Sequence, residues 1–127
     1  MTALNIQRGR DHGLRGYNDY RKACRLSVAK TWKQLKKIMV PGAGARFQNS
    51  YNKPDDIDLF AGGISERHAP GAIVGPLFRC ILGRQFQFLR DGDRYYYENK
   101  GMFTSSQLKA IRKVKIYYAV NRTMQHT

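Results

Sequence analysis

A chain of 127 residues has room for one domain with a real core and little more. Its 42% hydrophobic and 25% charged content excludes a disordered or low-complexity polymer, and no run of 18 apolar residues is present to cross a bilayer. The 23 Lys+Arg against 9 Asp+Glu leave a net charge of +14, a field that attracts phosphates, sulfated sugars and acidic surfaces in a salt-sensitive way.

The opening stretch, MTALNIQRGRDHG, turns charged within its first ten residues and lacks the apolar segment of a signal peptide. Residues 2–8 read as the end of a helix with Leu4 and Arg8 on one face, and Gly13 and Gly16 bracket the turn that follows. Tyr17 to Arg25 predicts a short helix. Ser27 stands as the N-cap of the next, in which Val28, Trp32, Leu35 and Met39 recur at helical spacing while Lys30, Lys33, Lys36 and Lys37 take the opposite face. Pro41-Gly42 ends it.

A weaker helix covers Ala45 to Tyr51 and is broken by Asn52-Lys53-Pro54. Asp55 or Asp56 opens a short apolar turn through Ile57 and Phe60, closed by Gly62-Gly63, and Glu66 to Gly71 reads as loop. The longest apolar helix follows, with Pro76 in its first turn. Its stripe of Val74, Leu77, Phe78, Ile81, Leu82, Phe86 and Leu89 is expected to form the core. Arg90-Asp91-Gly92-Asp93 stops it, Tyr95-Tyr96-Tyr97 is too short to place and reads either as a strand-like turn or as an aromatic patch, and Thr104 and Gln107 have capping-box spacing ahead of a last helix through Leu108, Ile111 and Val114. These elements predict an all-α piece with long loops.

Few patterns carry chemistry by themselves. No nucleophilic triad and no phosphate-loop glycine spacing occurs, and His12, His68 and His126 lie far apart. Asp91 and Asp93 resemble half a calcium loop but lack the downstream bidentate glutamate, which favours a helix-stop turn. Cys24 and Cys80 are compatible with a disulfide or with two buried thiols. Asn121-Arg122-Thr123 is a glycosylation sequon, meaningful only in a secreted chain. Basic residues concentrate in Arg25–Lys53, with seven and no acid, and again from Lys109 onward. Such runs are solvated helix faces or a binding surface, and a non-catalytic module for acidic glycans, acidic surfaces or nucleic acid is the alternative they keep open.

The strongest signal is the opening block, Leu4-Asn5-Ile6-Gln7-Arg8-Gly9-Arg10-Asp11-His12-Gly13-Leu14, followed by Gly16-Tyr17-Asn18-Asp19-Tyr20-Arg21. Further blocks keep the same order: Asp55 to Phe60 with Gly62-Gly63, Val74-Gly75-Pro76 through Cys80, Ile81 and Gly83, Gln85-Phe86, Leu89 to Tyr95, and Tyr97-Glu98-Asn99. Together they resemble the C-terminal portion of the animal haem peroxidases over about residues 2–115, leaving 116–127 as a divergent basic and polar tail.

That resemblance implies a helical peroxidase fold and an enzyme that reduces hydrogen peroxide while oxidising halide or phenolic substrates. It places Leu4 to Arg8 on the proximal side of a haem. Asn5 would accept a hydrogen bond from Nδ1–H of the proximal histidine, fixing the imidazole's tautomer and tuning the iron. Arg8 would pair with a haem propionate, a carboxylate that a guanidinium fork suits. It further implies a Cys24–Cys80 disulfide and hence a secreted, extracellular setting. Arg10, Asp11 and His12 read as a structural cluster holding the turn. The iron-ligating histidine, the distal histidine and the catalytic arginine belong to segments that this chain does not match. The resemblance therefore implies a fragment, inactive by itself, whose partners are haem and the rest of the peroxidase domain. In the complete enzyme, hydrogen peroxide and small reductants join them, and acidic glycans are a weak further partner.

Overall fold

The computed structural model describes residues 2–115, among which seven α-helices and one 3-10 turn are joined by loops and no strand is present. The tail at 116–127, with its sequon, lies outside the described residues. The chain divides into two compact units after Gln85.

In the first unit, α1 (Thr2–Asp11) ends where Gly13 adopts φ 65°, a left-handed turn that reverses the chain without a Cβ clash. Leu14 then donates its N–H to the Gly9 carbonyl at 2.9 Å. Next comes α2 (Tyr17–Ala23). A Cβ on Gly16, just before it, would lie 2.7 Å from the Asp55 carbonyl oxygen, so the residue must be glycine for the two segments to touch.

The third helix, α3 (Trp32–Ile38), starts later than the Ser27 cap predicts. The cap is Thr31, whose hydroxyl accepts from Gln34 N–H while the Gln34 side chain accepts from Thr31 N–H, a reciprocal capping box. Residues 27–30 stay outside the helix because their backbone is bonded elsewhere. Arg21 Nε donates to the Ser27 carbonyl at 2.6 Å, and Asn18 bonds both the carbonyl and the N–H of Ala29. Beside α3 packs α4 (Ala43–Ser50), with Gly44 set against the Lys36 backbone.

After a 3-10 turn at Pro54–Asp56 comes α5 (Leu59–Ile64). Gly62 and Gly63 lie inside this helix instead of closing it. A Cβ on Gly62 would sit 2.4 Å from the Tyr17 ring and one on Gly63 2.3 Å from the Phe78 ring, so both glycines admit an aromatic ring against the helix backbone. The long α6 (Pro76–Gly92) runs on through the end of this unit.

The core is Tyr17, Leu35, Met39, Ile57 and Leu77, all fully buried. At its centre lies a polar knot. Tyr17 donates its hydroxyl proton to Glu66 Oε1 at 2.7 Å, Arg21 pairs with the same oxygen, and Glu66 Oε2 accepts Leu77 N–H at 2.8 Å. The carboxylate thus satisfies the first turn of α6 while balancing a buried guanidinium. Burial pushes the Tyr17 phenol well above its usual range, and the Glu66 hydrogen bond adds to the shift. The Cys24–Cys80 disulfide ties the end of α2 to α6.

The apolar stripe of α6 is only partly core. Leu77 is buried and Phe78 and Ile81 are half-buried, but Leu82, Phe86 and Leu89 are 46%, 68% and 57% exposed. Helical periodicity marks which residues share a face; whether a face is covered depends on what packs there. In the second unit α7 (Ser105–Lys113) starts at the capping box of Thr104 and Gln107, as its spacing predicts. Arg112 donates to Glu98 at 2.7 Å and ties this helix to the turn before it.

Candidate functional site

A concavity of about 360 Å3 opens on the first unit between α1 and the start of α5. Asn5, Arg8 and His12 reach it from α1 and its terminal turn, and Leu14, Phe60 and Phe78 supply an apolar wall. Phe60 and Phe78 stand with ring centroids 6.3 Å apart. Asn5 and Arg8 are three residues apart on one helix, so their side chains meet along one face.

Two arginines on α1 have opposite fates. Arg10 grips Asp58 with both arms, Nε to Oδ1 at 2.9 Å and a terminal nitrogen to Oδ2 at 2.7 Å. Tyr51 donates its hydroxyl proton to the same Oδ2 at 2.7 Å. The Arg10 hydrogen bond holds the Asp58 carboxyl below its ordinary range against the opposing effect of burial, with Tyr51 assisting. Burial, then the bond to Asp58, raises the Tyr51 phenol. Arg8, by contrast, has no carboxylate partner among the described residues, and the Asn5 amide makes no hydrogen bond to any of them. A free guanidinium and a free amide one turn apart, beside aromatic walls, suit a flat apolar group that carries carboxylates.

Of the residues singled out in sequence, Asn5 and Arg8 are brought together here. Leu4 is 62% exposed and does not line the cavity. His12 does line it. Asp58, Phe60 and Phe78 were not expected as lining. Asp58 lies in a recognisable block, but only folding reveals its bond to Arg10, 48 residues away. Asp91 is bonded to Arg90 and Asp93 to the Tyr95 N–H, so both serve the turn after α6. No cluster of three or more His, Cys, Asp or Glu is arranged to hold a metal ion among the described residues. Lys30, Lys33, Lys36 and Lys37 are all exposed, and none pairs with an acid among the described residues. No helix among them is long and apolar enough to cross a membrane.

Comparison with known proteins gives a consistent result. The family model described as animal haem peroxidase matches residues 1–127. Peroxidase skpo-1 of Caenorhabditis elegans is 45% identical over 123 residues, covering 97% of this chain and 19% of that protein. Thyroid peroxidase of Sus scrofa is 46% identical over 114 residues, covering 89% of this chain and 12% of its own length. The solved structure of peroxidase A from Dictyostelium discoideum superposes with a TM-score of 0.75 at 35% identity, over 94% of this chain and 22% of that one. The chain thus spans less than a quarter of the length of each of these relatives.

Proposed function

Because the chain belongs to the animal haem peroxidase family, we propose that it forms the proximal-side wall of a haem pocket, in an enzyme that reduces hydrogen peroxide while oxidising halide or phenolic substrates. The observation that carries this reading is that Asn5 and Arg8 line one apolar-walled cavity, the amide with no hydrogen bond and the guanidinium with no carboxylate partner among the described residues.

In this role the α1 face binds and orients. Arg8 meets a propionate, and its planar fork fixes the carboxylate's direction as well as its charge. Asn5 accepts the Nδ1–H of the iron-ligating histidine through its side-chain oxygen, so the histidine keeps its other nitrogen for the metal. Phe60 and Phe78 keep water from the apolar part of the ring. When bound, haem supplies the redox chemistry of peroxide cleavage. The rest of the peroxidase domain contributes the ligating histidine, the distal histidine and the catalytic arginine. This chain alone therefore has no appreciable turnover, which guaiacol oxidation by the haem-loaded chain measures. The disulfide supports an oxidising, extracellular setting.

Hemin titration in the presence of imidazole, followed at the Soret band, tests the reading. Arg8→Ala is expected to weaken hemin binding about ten- to a hundredfold, the loss of a hydrogen-bonded charge pair. Asn5→Ala is expected to abolish any preference for imidazole over N-methylimidazole, which has no N–H to donate. Variants indistinguishable from the parent chain in both respects would overturn it.

A further inference from the structure

Asp58 stands between two cavities. The residue is part of the lining of the one shared by Asn5 and Arg8. The side chains that hold it, Arg10 and Tyr51, line a separate hollow of about 350 Å3. Ile6 lines both, so α1 is the partition.

The bonds to Asp58 are geometrically demanding. A guanidinium fork on two carboxylate oxygens, with a phenol on one of them, fixes both the position and the plane of the carboxylate. Asp58 is itself held by a backbone bridge to Gly16 and by the Gly62 N–H, which donates to its carbonyl at 3.0 Å. Arg10 follows Arg8 by two residues and Asn5 by five. At about 100° per residue these offsets place Arg10 on the other side of the helix from both. Anchoring Arg10 therefore turns Asn5 and Arg8 toward the cavity. The same contact neutralises Arg10, while Arg8, the arginine that lines the cavity, has no carboxylate partner among the described residues.

We infer that Asp58 is a positioning residue for carboxylate recognition: by clamping Arg10 it sets the rotation of α1 that aims Arg8 at a propionate of the bound porphyrin. This rests on the haem-wall reading above, which extends to Asn5 and Arg8 but not to Asp58.

The test compares hemin with hemin dimethyl ester, whose propionates carry no charge, on the full chain with imidazole present. The parent chain is expected to prefer hemin by about tenfold or more, and Arg8→Ala to lose that preference. Asp58→Asn is expected to lose it as well, while binding the dimethyl ester within about twofold of the parent chain. Asp58→Glu, which restores a carboxylate, is expected to recover part of it. A merely structural role would weaken both ligands together, and that result overturns the inference. So does an Asp58→Asn variant that keeps the full preference while Arg8→Ala loses it, which leaves the haem-wall reading intact. A parent chain with no preference overturns that reading and the inference with it. If Asp58→Asn does not fold, Arg10→Lys retains the charge without the fork. It is expected to show a reduced preference, and the parent value in that variant overturns the inference.

Discussion

The two ends of α6 follow one apolar pattern and meet different surroundings. At its start Leu77 is fully buried, its N–H bonded to a buried glutamate, with the Cys80 disulfide a turn later. Toward its end Phe86 and Leu89 are mostly exposed, and in the second unit Tyr95 and Phe103 are exposed as well. The contrast teaches that apolar content alone does not mark the core: a face is buried only where other side chains pack over it.

The largest effect expected on that contrast comes from breaking the knot. Glu66→Ala leaves Arg21 buried without its counter-ion and Leu77 N–H without its acceptor, and is expected to cost about 3–5 kcal/mol in urea unfolding. Reducing the disulfide is expected to cost about 4 kcal/mol by the loop-entropy relation, given the 56-residue separation of its cysteines. A matched pair then sharpens the comparison. Leu77→Ala is expected to cost about 2–5 kcal/mol and Leu89→Ala less than about 0.5 kcal/mol, although both are leucines of one helix. Equal costs would show that the exposed face is packed in solution.

The smallest effect is at alkaline pH. The folded-state Tyr17 phenol ionises above the unfolded value near 10.0. Its contribution to stability is therefore complete below that pH and declines as pH rises toward and through the folded value. A pH series of melts should show this decline in the parent chain and a weaker one in Tyr17→Phe.

Much of this was legible in the residues. The capping box of Thr104 and Gln107, the helical character of residues 2–8, and the loop from Glu66 to Gly71 follow from local rules. What was not legible depended on contacts distant in sequence. Ser27 reads as a cap until Arg21 takes its carbonyl. Gly62-Gly63 reads as a helix stop until Tyr17 and Phe78 lie against it. Glu66 reads as a loop residue, although it is the anion at the centre of the core. At the candidate site, Asn5 and Arg8 came from the resemblance of a motif. The resemblance also set Arg10 apart as structural, but its partner, Asp58, lies 48 residues away and emerges only in the fold.

The central claim is that the Asn5–Arg8 face is the wall against which haem sits. Paramagnetic broadening on adding ferric hemin and imidazole to isotope-labelled chain tests it most directly, because the effect falls steeply with distance from the iron. The side-chain amide of Asn5 and the Nε–H of Arg8 are predicted to broaden first, ahead of groups on α3. Broadening centred on the lysines of α3 or on the exposed aromatics at the end of α6, with Asn5 and Arg8 unaffected, would contradict it.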